Sequence, residues 1–167
     1  MADSDLVELL TSQNDAYSAS FSGQEVVGVA GQGLLILTCM DSRIVPHEIF
    51  GLKLGDMKVI RNAGGQLNSE IEKDIVLASH LLNCQTIVIM PHTRCAMASM
   101  PLSSLQQCLE DFSGMDFSNF NPRVIDNPET KLRADISTLQ SNPLISKGVK
   151  VLGAIYDVDT GLANWID

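Results

Sequence analysis

Cys39, Asp41 and Arg43 occupy alternate positions just beyond the apolar run Leu34-Leu35-Ile36-Leu37, and His92 and Cys95 follow a second run, Ile87-Val88-Ile89-Met90. Two thiols and an imidazole, each carried at the end of an apolar segment, make a zinc-binding set with one tetrahedral position left over. A structural zinc site would close that position with another Cys or His, and neither stands nearby in the sequence. Asp41 either fills it or leaves it to water. Arg43, two residues on, is placed to hold the carboxylate off the metal through a bidentate ion pair. A zinc-bound water ionises near neutrality and becomes a hydroxide nucleophile, with Asp41 accepting its hydrogen bond and orienting the attacking lone pair. The plainer alternative for Asp41 and Arg43 is a pair that only braces the loop. The expected stoichiometry is one zinc per chain.

The composition bounds what such a site belongs to. A chain of 167 residues is long enough for one core and too short for two ordinary domains, so residues 1–167 read as a single zinc domain, with 1–33 as a helical arm and approach loop. Hydrophobic residues at 45% and charged residues at 19% indicate a folded globular protein. A net charge of -9, without any basic run, argues against nucleic acid as a partner. The acidic start Met1-Ala2-Asp3-Ser4-Asp5 lacks the features of a secretory signal, and no apolar segment approaches the roughly 18 residues that span a bilayer. The expected location is therefore the cytoplasm, with no membrane partner, where four cysteines serve as thiols or metal ligands rather than disulfides. Cys84 and Cys108 lie on apolar helical stripes and are expected to be small buried residues. His47 and His80 fall on helices, where surface or half-buried roles are expected.

Positioning the candidate ligands requires strands. A polar helix is expected from Asp5 to about Ala19, followed by Gly28-Val29-Ala30-Gly31-Gln32-Gly33. These glycines precede the first strand instead of following it, so a phosphate would not meet a helix N-terminus there, and a flexible approach segment is preferred. After the first strand come a short helix at Pro46 to Phe50, a strand at Met57 to Ile60, and a helix marked by Ile71, Ile75, Ala78 and Leu82, with Glu70 and Glu72 in its first turn. Thr86 to Met90 forms the third strand. Ser103-Ser104-Leu105-Gln106 resembles a capping box opening a helix with Leu105, Leu109 and Phe112 on one face. Residues 113–126 show no periodicity and are expected to fold back on the core, a lid or subunit contact being the alternative. Asn127-Pro128 starts the last helix, whose buried side carries Leu132, Ile136 and Leu139 and which ends at Asn142-Pro143. Val149 to Val158, a turn at Asp159-Thr160-Gly161, and Leu162 to Ile166 complete the sheet with an edge hairpin.

The fold expected is α/β in three layers, a mostly parallel sheet of order about 2-1-3-4 with helices on both faces. Ligands of such sheets bind beyond the carboxyl ends of the strands where the order reverses, here between strands 1 and 3, which carry Cys39 and His92.

Three separated motifs, Cys39-Met40-Asp41-Ser42-Arg43, Arg61-Asn62-Ala63-Gly64-Gly65 and His92-Thr93-Arg94-Cys95, resemble those of the β-class carbonic anhydrases in order and spacing. The resemblance runs from about Leu34 to the C-terminus and is to the short members without long insertions. It implies zinc held by Cys39, His92 and Cys95, an acting dyad of Asp41 and Arg43, and reversible hydration of carbon dioxide to bicarbonate. It also implies active sites near a dimer interface, hence a homodimer or a higher even-numbered oligomer. The loop ending in Gly64 and Gly65 would pack beside the metal and, with Arg94, form part of the substrate pocket. Two positions depart from the family pattern: Arg94 stands where Gly or Asp is common, and Ala96 where Gly is common. Arg94 would either compete with Arg43 for Asp41 or help bind an anion, and Ala96 would restrict the backbone. Relatives on this fold resemble hydrolases of carbonyl sulfide or carbon disulfide, which is the alternative activity. A zinc-bearing binding or structural domain without turnover is the alternative of a different class.

Overall fold

The computed structural model describes residues 3–166. Helix α1 (Asp3–Ala19) leads to β1 (Leu34–Cys39), α2 (Pro46–Phe50), β2 (Met57–Asn62), α3 (Ser69–Leu81), β3 (Thr86–Met90), α4 (Leu102–Ser113), α5 (Pro128–Ser141), β4 (Lys150–Tyr156) and β5 (Ala163–Ile166). One five-stranded sheet has the order β2-β1-β3-β4-β5, with β1 to β4 parallel and β5 antiparallel to β4. This is the expected three-layer arrangement with its edge hairpin. The core strands β1 and β3 carry unbroken apolar runs, Leu34 to Leu37 and Ile87 to Met90, because both sheet faces are covered. Leu35, Leu37, Ile87, Ile89 and Val151 pack against Ile71, Ile75 and Ala78 of α3 and Leu132 and Leu139 of α5. Their neighbours Ile36, Val88 and Ala154 face the other way, towards Ile49 and Phe50 of α2.

The helix ends follow from local chemistry. The Asn68 side chain accepts from the N–H groups of Glu70 and Ile71, and Asn127 from that of Thr130, each satisfying donors that the first turn leaves free. α2 closes at Gly51 in the left-handed conformation, where a side chain would be strained.

Two expectations about α4 are corrected. The capping box at Ser103 does not form: α4 already begins at Leu102 after Pro101, with no side-chain cap, so Ser103 lies within the first turn. The apolar stripe of this helix is not buried either. Leu105 and Leu109 are half-buried, Phe112 is 93% exposed and Cys108 is exposed rather than packed. α4 is joined to the body through the following segment instead of lying on the sheet: Gln106 Nε2 donates to the carbonyls of Ser118 and Phe120, and Phe117 meets Phe120 edge to face. That segment does fold back, with Ile125 buried and its N–H bonded to the Met97 carbonyl. Cys84 is buried, His47 half-buried and His80 exposed, as expected. β4 is shorter than expected, since Asp157 and Val158 already belong to the turn.

α1 starts at Asp3, and every residue from Ser4 to Ala19 is exposed, including Leu6, Val7, Leu9 and Leu10. No helix among the described residues is long and apolar enough to cross a membrane.

Candidate metal centre

β1 and β3 are neighbours, and the chain leaves them towards opposite edges of the sheet, so their carboxyl ends flank the crevice at the order reversal. Cys39 is the last residue of β1. His92 follows β3 by two residues and is fixed by backbone bonds on both sides: Tyr156 N–H donates to the Pro91 carbonyl, and Thr93 N–H to that of Tyr156, both at 2.9 Å. The chain then turns through Arg94, at φ +54°, and brings Cys95 back beside His92. A ligand atom of each of Cys39, His92 and Cys95 lies within 4.8 Å of the others, and all three residues are buried.

This donor set fits a zinc ion. His92 is only 2% exposed and neither ring nitrogen has a hydrogen-bond partner among the described residues, a costly state for a buried imidazole unless a lone pair is otherwise engaged. Burial pushes its pKa down, which keeps the ring neutral and able to donate that lone pair. Burial pushes the Cys95 thiol up, against the backbone N–H groups of Met97 and Ala98 that favour its thiolate. The flanking apolar cluster of Ile44, Met90, Ala154 and Tyr156 keeps the sulfur side dry.

Asp41 stands at the open side, its Oδ2 3.9 Å from His92 Nε2. Arg43 grips it with three donors: Nε and the backbone N–H to Oδ1 at 2.9 Å each, and Nη2 to Oδ2 at 2.7 Å. These bonds hold the carboxyl well below the usual carboxylate range. Arg61 fixes the backbone beneath, donating to the carbonyls of Cys39 and Asp41 at 2.9 and 2.6 Å.

Gly64 and Gly65 lie where the loop was expected to meet the metal ligands. The N–H of Gly64 donates to Cys39 Sγ at 3.3 Å. Gly65, at φ +63°, presses so close to β1 that a Cβ there would stand 2.9 Å from the Cys39 nitrogen and the Thr38 carbonyl carbon. Arg94 stands at the wall of the cavity beside His92 and Cys95, away from Asp41. Its ion pair is with Asp159 in the β4–β5 turn, while Asp41 belongs to Arg43, so the two arginines do not compete. The left-handed backbone at Arg94 accounts for glycine being suited to that position. Ala96 has no positive φ, so a side chain is accommodated there without strain. A cavity of about 350 Å³ opens beside the ligands, lined by His92, Arg94, Cys95 and Ile155 among others.

Gln66 and Asp135, neighbours of the Ala63–Gly65 turn, lie outside the three motifs, and Asn62 lies within the second of them without a role of its own being expected. The one available signal was an amide side chain on each side of Ala63-Gly64-Gly65.

A parallel sheet with a Cys, His, Cys set at its reversal point and a carboxylate–guanidinium pair beside it defines an α/β protein with a candidate metal centre of the catalytic kind, three protein donors and one open position. Residues 34–163 match the family model for carbonic anhydrase, and the chain belongs to that family, in its β class. It is 25% identical over 151 residues to β-carbonic anhydrase 1 of Mycobacterium tuberculosis, covering 90% of this chain and 91% of that one. It is 29% identical over 149 residues to a carbon disulfide hydrolase of Acidithiobacillus thiooxidans, covering 77% and 74%. The crystal structure of carbonic anhydrase from Streptococcus mutans superposes with a TM-score of 0.87 at 27% identity, over the whole of both chains.

Proposed function

We propose that this chain hydrates carbon dioxide reversibly to bicarbonate, with one zinc ion held by Cys39, His92 and Cys95. The observation that carries this reading is the grip of Arg43 on Asp41, which presents an ionised carboxylate to the open side of the donor set without placing it among the donors. Zinc bound there supplies the Lewis acidity that makes water a nucleophile near neutral pH. With zinc bound, Asp41 would accept a hydrogen bond from the attacking water and orient it towards the substrate carbon. Arg43 keeps the carboxylate ionised and turned outwards. The apolar residues behind the sulfurs and Ile155 in the adjoining cavity suit a small substrate without charge, and Arg94 at the cavity wall suits the departure of an anion.

Hydrolysis of carbon disulfide or carbonyl sulfide is the second reading, supported by the likeness to the carbon disulfide hydrolase. Stopped-flow hydration of carbon dioxide by the zinc-loaded protein, run beside sulfide release from both sulfur compounds, separates the two. We expect hydration well above buffer. No acceleration at any pH from neutral to alkaline overturns the first reading, and a higher kcat/KM for a sulfur compound establishes the second. Zinc at one equivalent with no turnover of either kind would leave a binding or structural domain.

We further propose that the protein works as a homodimer or larger even-numbered oligomer in the cytoplasm. The support for association is apolar surface left uncovered in one chain: the leucines of α1, and Leu152 and Trp165 on the sheet. The support for the compartment is that all four cysteines are free thiols.

A further inference from the structure

The sulfur of Cys39 accepts a backbone N–H from a residue in an unusual conformation, whereas the backbone N–H groups that bear on Cys95, those of Met97 and Ala98, come from its own loop. Gly64 sits at φ +84° in the turn Ala63–Gly65, and such a turn keeps its shape only if its ends are tied. Both ends are tied by one amide side chain. Asn62 is the last residue of β2 and lies directly opposite Cys39 in the sheet register. Its Oδ1 accepts from Gln66 N–H at 2.9 Å, and its Nδ2 donates to the Gln66 carbonyl at 2.7 Å. The Gln66 side chain then passes back under the turn. Its Nε2 donates to the carbonyls of Ala63 at 3.3 Å and Arg123 at 2.7 Å, and lies so close beneath Gly64 that a Cβ on that glycine would meet it at 2.8 Å. The next residue is tied as well, with Leu67 N–H donating to the buried carboxylate of Asp135, which also pairs with Lys131.

Packing alone is a poor account of Gln66. The residue is 5% exposed, and its Oε1 has no hydrogen-bond partner among the described residues, a state that costs stability compared with an apolar side chain of the same length. What a methionine would not supply is the pair of N–H donors that ties Ala63 and Arg123 to the floor of the turn.

We infer that Asn62 and Gln66 are positioning residues for the metal centre: together they clamp the Ala63–Gly65 turn so that the Gly64 N–H stays on Cys39 Sγ and draws charge from that sulfur. Hydrogen bonds to a metal-bound sulfur lower its donor strength and so set how electron-poor the metal remains, and outer partners of this kind are worth about 10–100-fold in metal affinity or activity. The inference rests on the reading of Cys39, His92 and Cys95 as a metal set.

Cobalt(II) substitution tests it, because the sulfur-to-cobalt charge-transfer band reports on the sulfur whatever the turnover. Gln66→Met removes both side-chain donors while keeping length, and Asn62→Asp keeps the acceptor for Gln66 N–H while removing the donor to its carbonyl. Loss of the N–H on Cys39 raises the energy of the sulfur lone pair. The band should therefore move to longer wavelength in both variants; zinc affinity should be about 10–100-fold weaker at unchanged one-to-one stoichiometry, because the loosened turn no longer places Cys39 and its free thiolate loses the N–H that stabilises it against protonation. Variants that fold, bind one cobalt and keep the native band position and affinity overturn the inference and leave the metal reading intact. If Gln66→Met does not fold, Asn62→Asp decides alone; if neither folds, the clamp serves the whole fold and the inference fails. A native protein that takes up no cobalt would remove the metal reading and this inference with it.

Discussion

The carboxylate of Asp41 and the guanidinium of Arg43 are two residues apart in sequence and joined face to face, Nε to Oδ1 and Nη2 to Oδ2, with the Arg43 backbone N–H closing on Oδ1 as a third donor. The pair therefore has a fixed direction, which a single contact between two flexible side chains would lack. Breaking it should free the carboxylate to turn to the open metal position. Arg43→Ala is expected to lower carbon dioxide hydration by about 10²-fold, most near neutrality, whereas Asp41→Asn should lower it over the whole pH range. Because Arg94 is paired with Asp159, Arg94→Ala should be mild by comparison. Initial rates against pH for the three variants side by side check the ordering, and near-native activity in both Arg43→Ala and Asp41→Asn would contradict it.

The four cysteines should separate into two classes. Cys39→Ala and Cys95→Ala are expected to lose zinc, while Cys84→Ala and Cys108→Ala retain one equivalent by elemental analysis. Stability divides the second pair again. Cys84 is fully buried and should cost about 1 kcal/mol on truncation, whereas exposed Cys108 should cost nothing measurable in urea melts.

Gly65 and Gly114 have similar left-handed backbones but different surroundings. An added Cβ at Gly65 meets β1, and at Gly114 it meets nothing within 4 Å. Gly65→Ala should therefore cost about 3 kcal/mol, strain and collision together, and weaken zinc binding; Gly114→Ala should cost only the strain of about 1 kcal/mol. Equal losses in denaturant titrations would show that the contact with Thr38 and Cys39 is not the constraint.

Metal-free protein should lose stability in two stages as the pH falls. His92 is held neutral by burial in the fold, while in the unfolded chain it takes up a proton near its ordinary value of about 6.5. The unfolded state then binds more protons, so stability declines as pH drops through that value. Asp41 has a lowered pKa in the fold, so its contribution is fully present above the unfolded value of about 3.9 and is lost progressively below it. Urea melts of chelator-treated protein from pH 8 to pH 3 should show both declines, the first absent from His92→Gln and the second from Asp41→Asn.

The strands and the ligands were legible in the sequence because both are local signals. Leu34 to Leu37 and Ile87 to Met90 are apolar without interruption, as strands covered on both faces must be, and chemistry-bearing residues at their ends mark the crevice. Asp41 and Arg43 could be paired from their spacing alone. α4 was misread because a helical stripe says which residues share a face but not whether anything covers that face; Phe112 and Cys108 share the expected stripe and stand in the open. Tertiary structure alone decided the partner of Arg94, since Asp159 lies 65 residues further along the chain. It also decided the brace on Cys39. Gln66, Arg123 and Asp135 carry no periodicity and belong to no motif, the motif that holds Asn62 gives it no partner, and the four meet only because β2 lies beside β1 and α5 crosses the same sheet end. Local patterning determined which residues could bind a metal, and the long-range pairing of strands determined what holds them there.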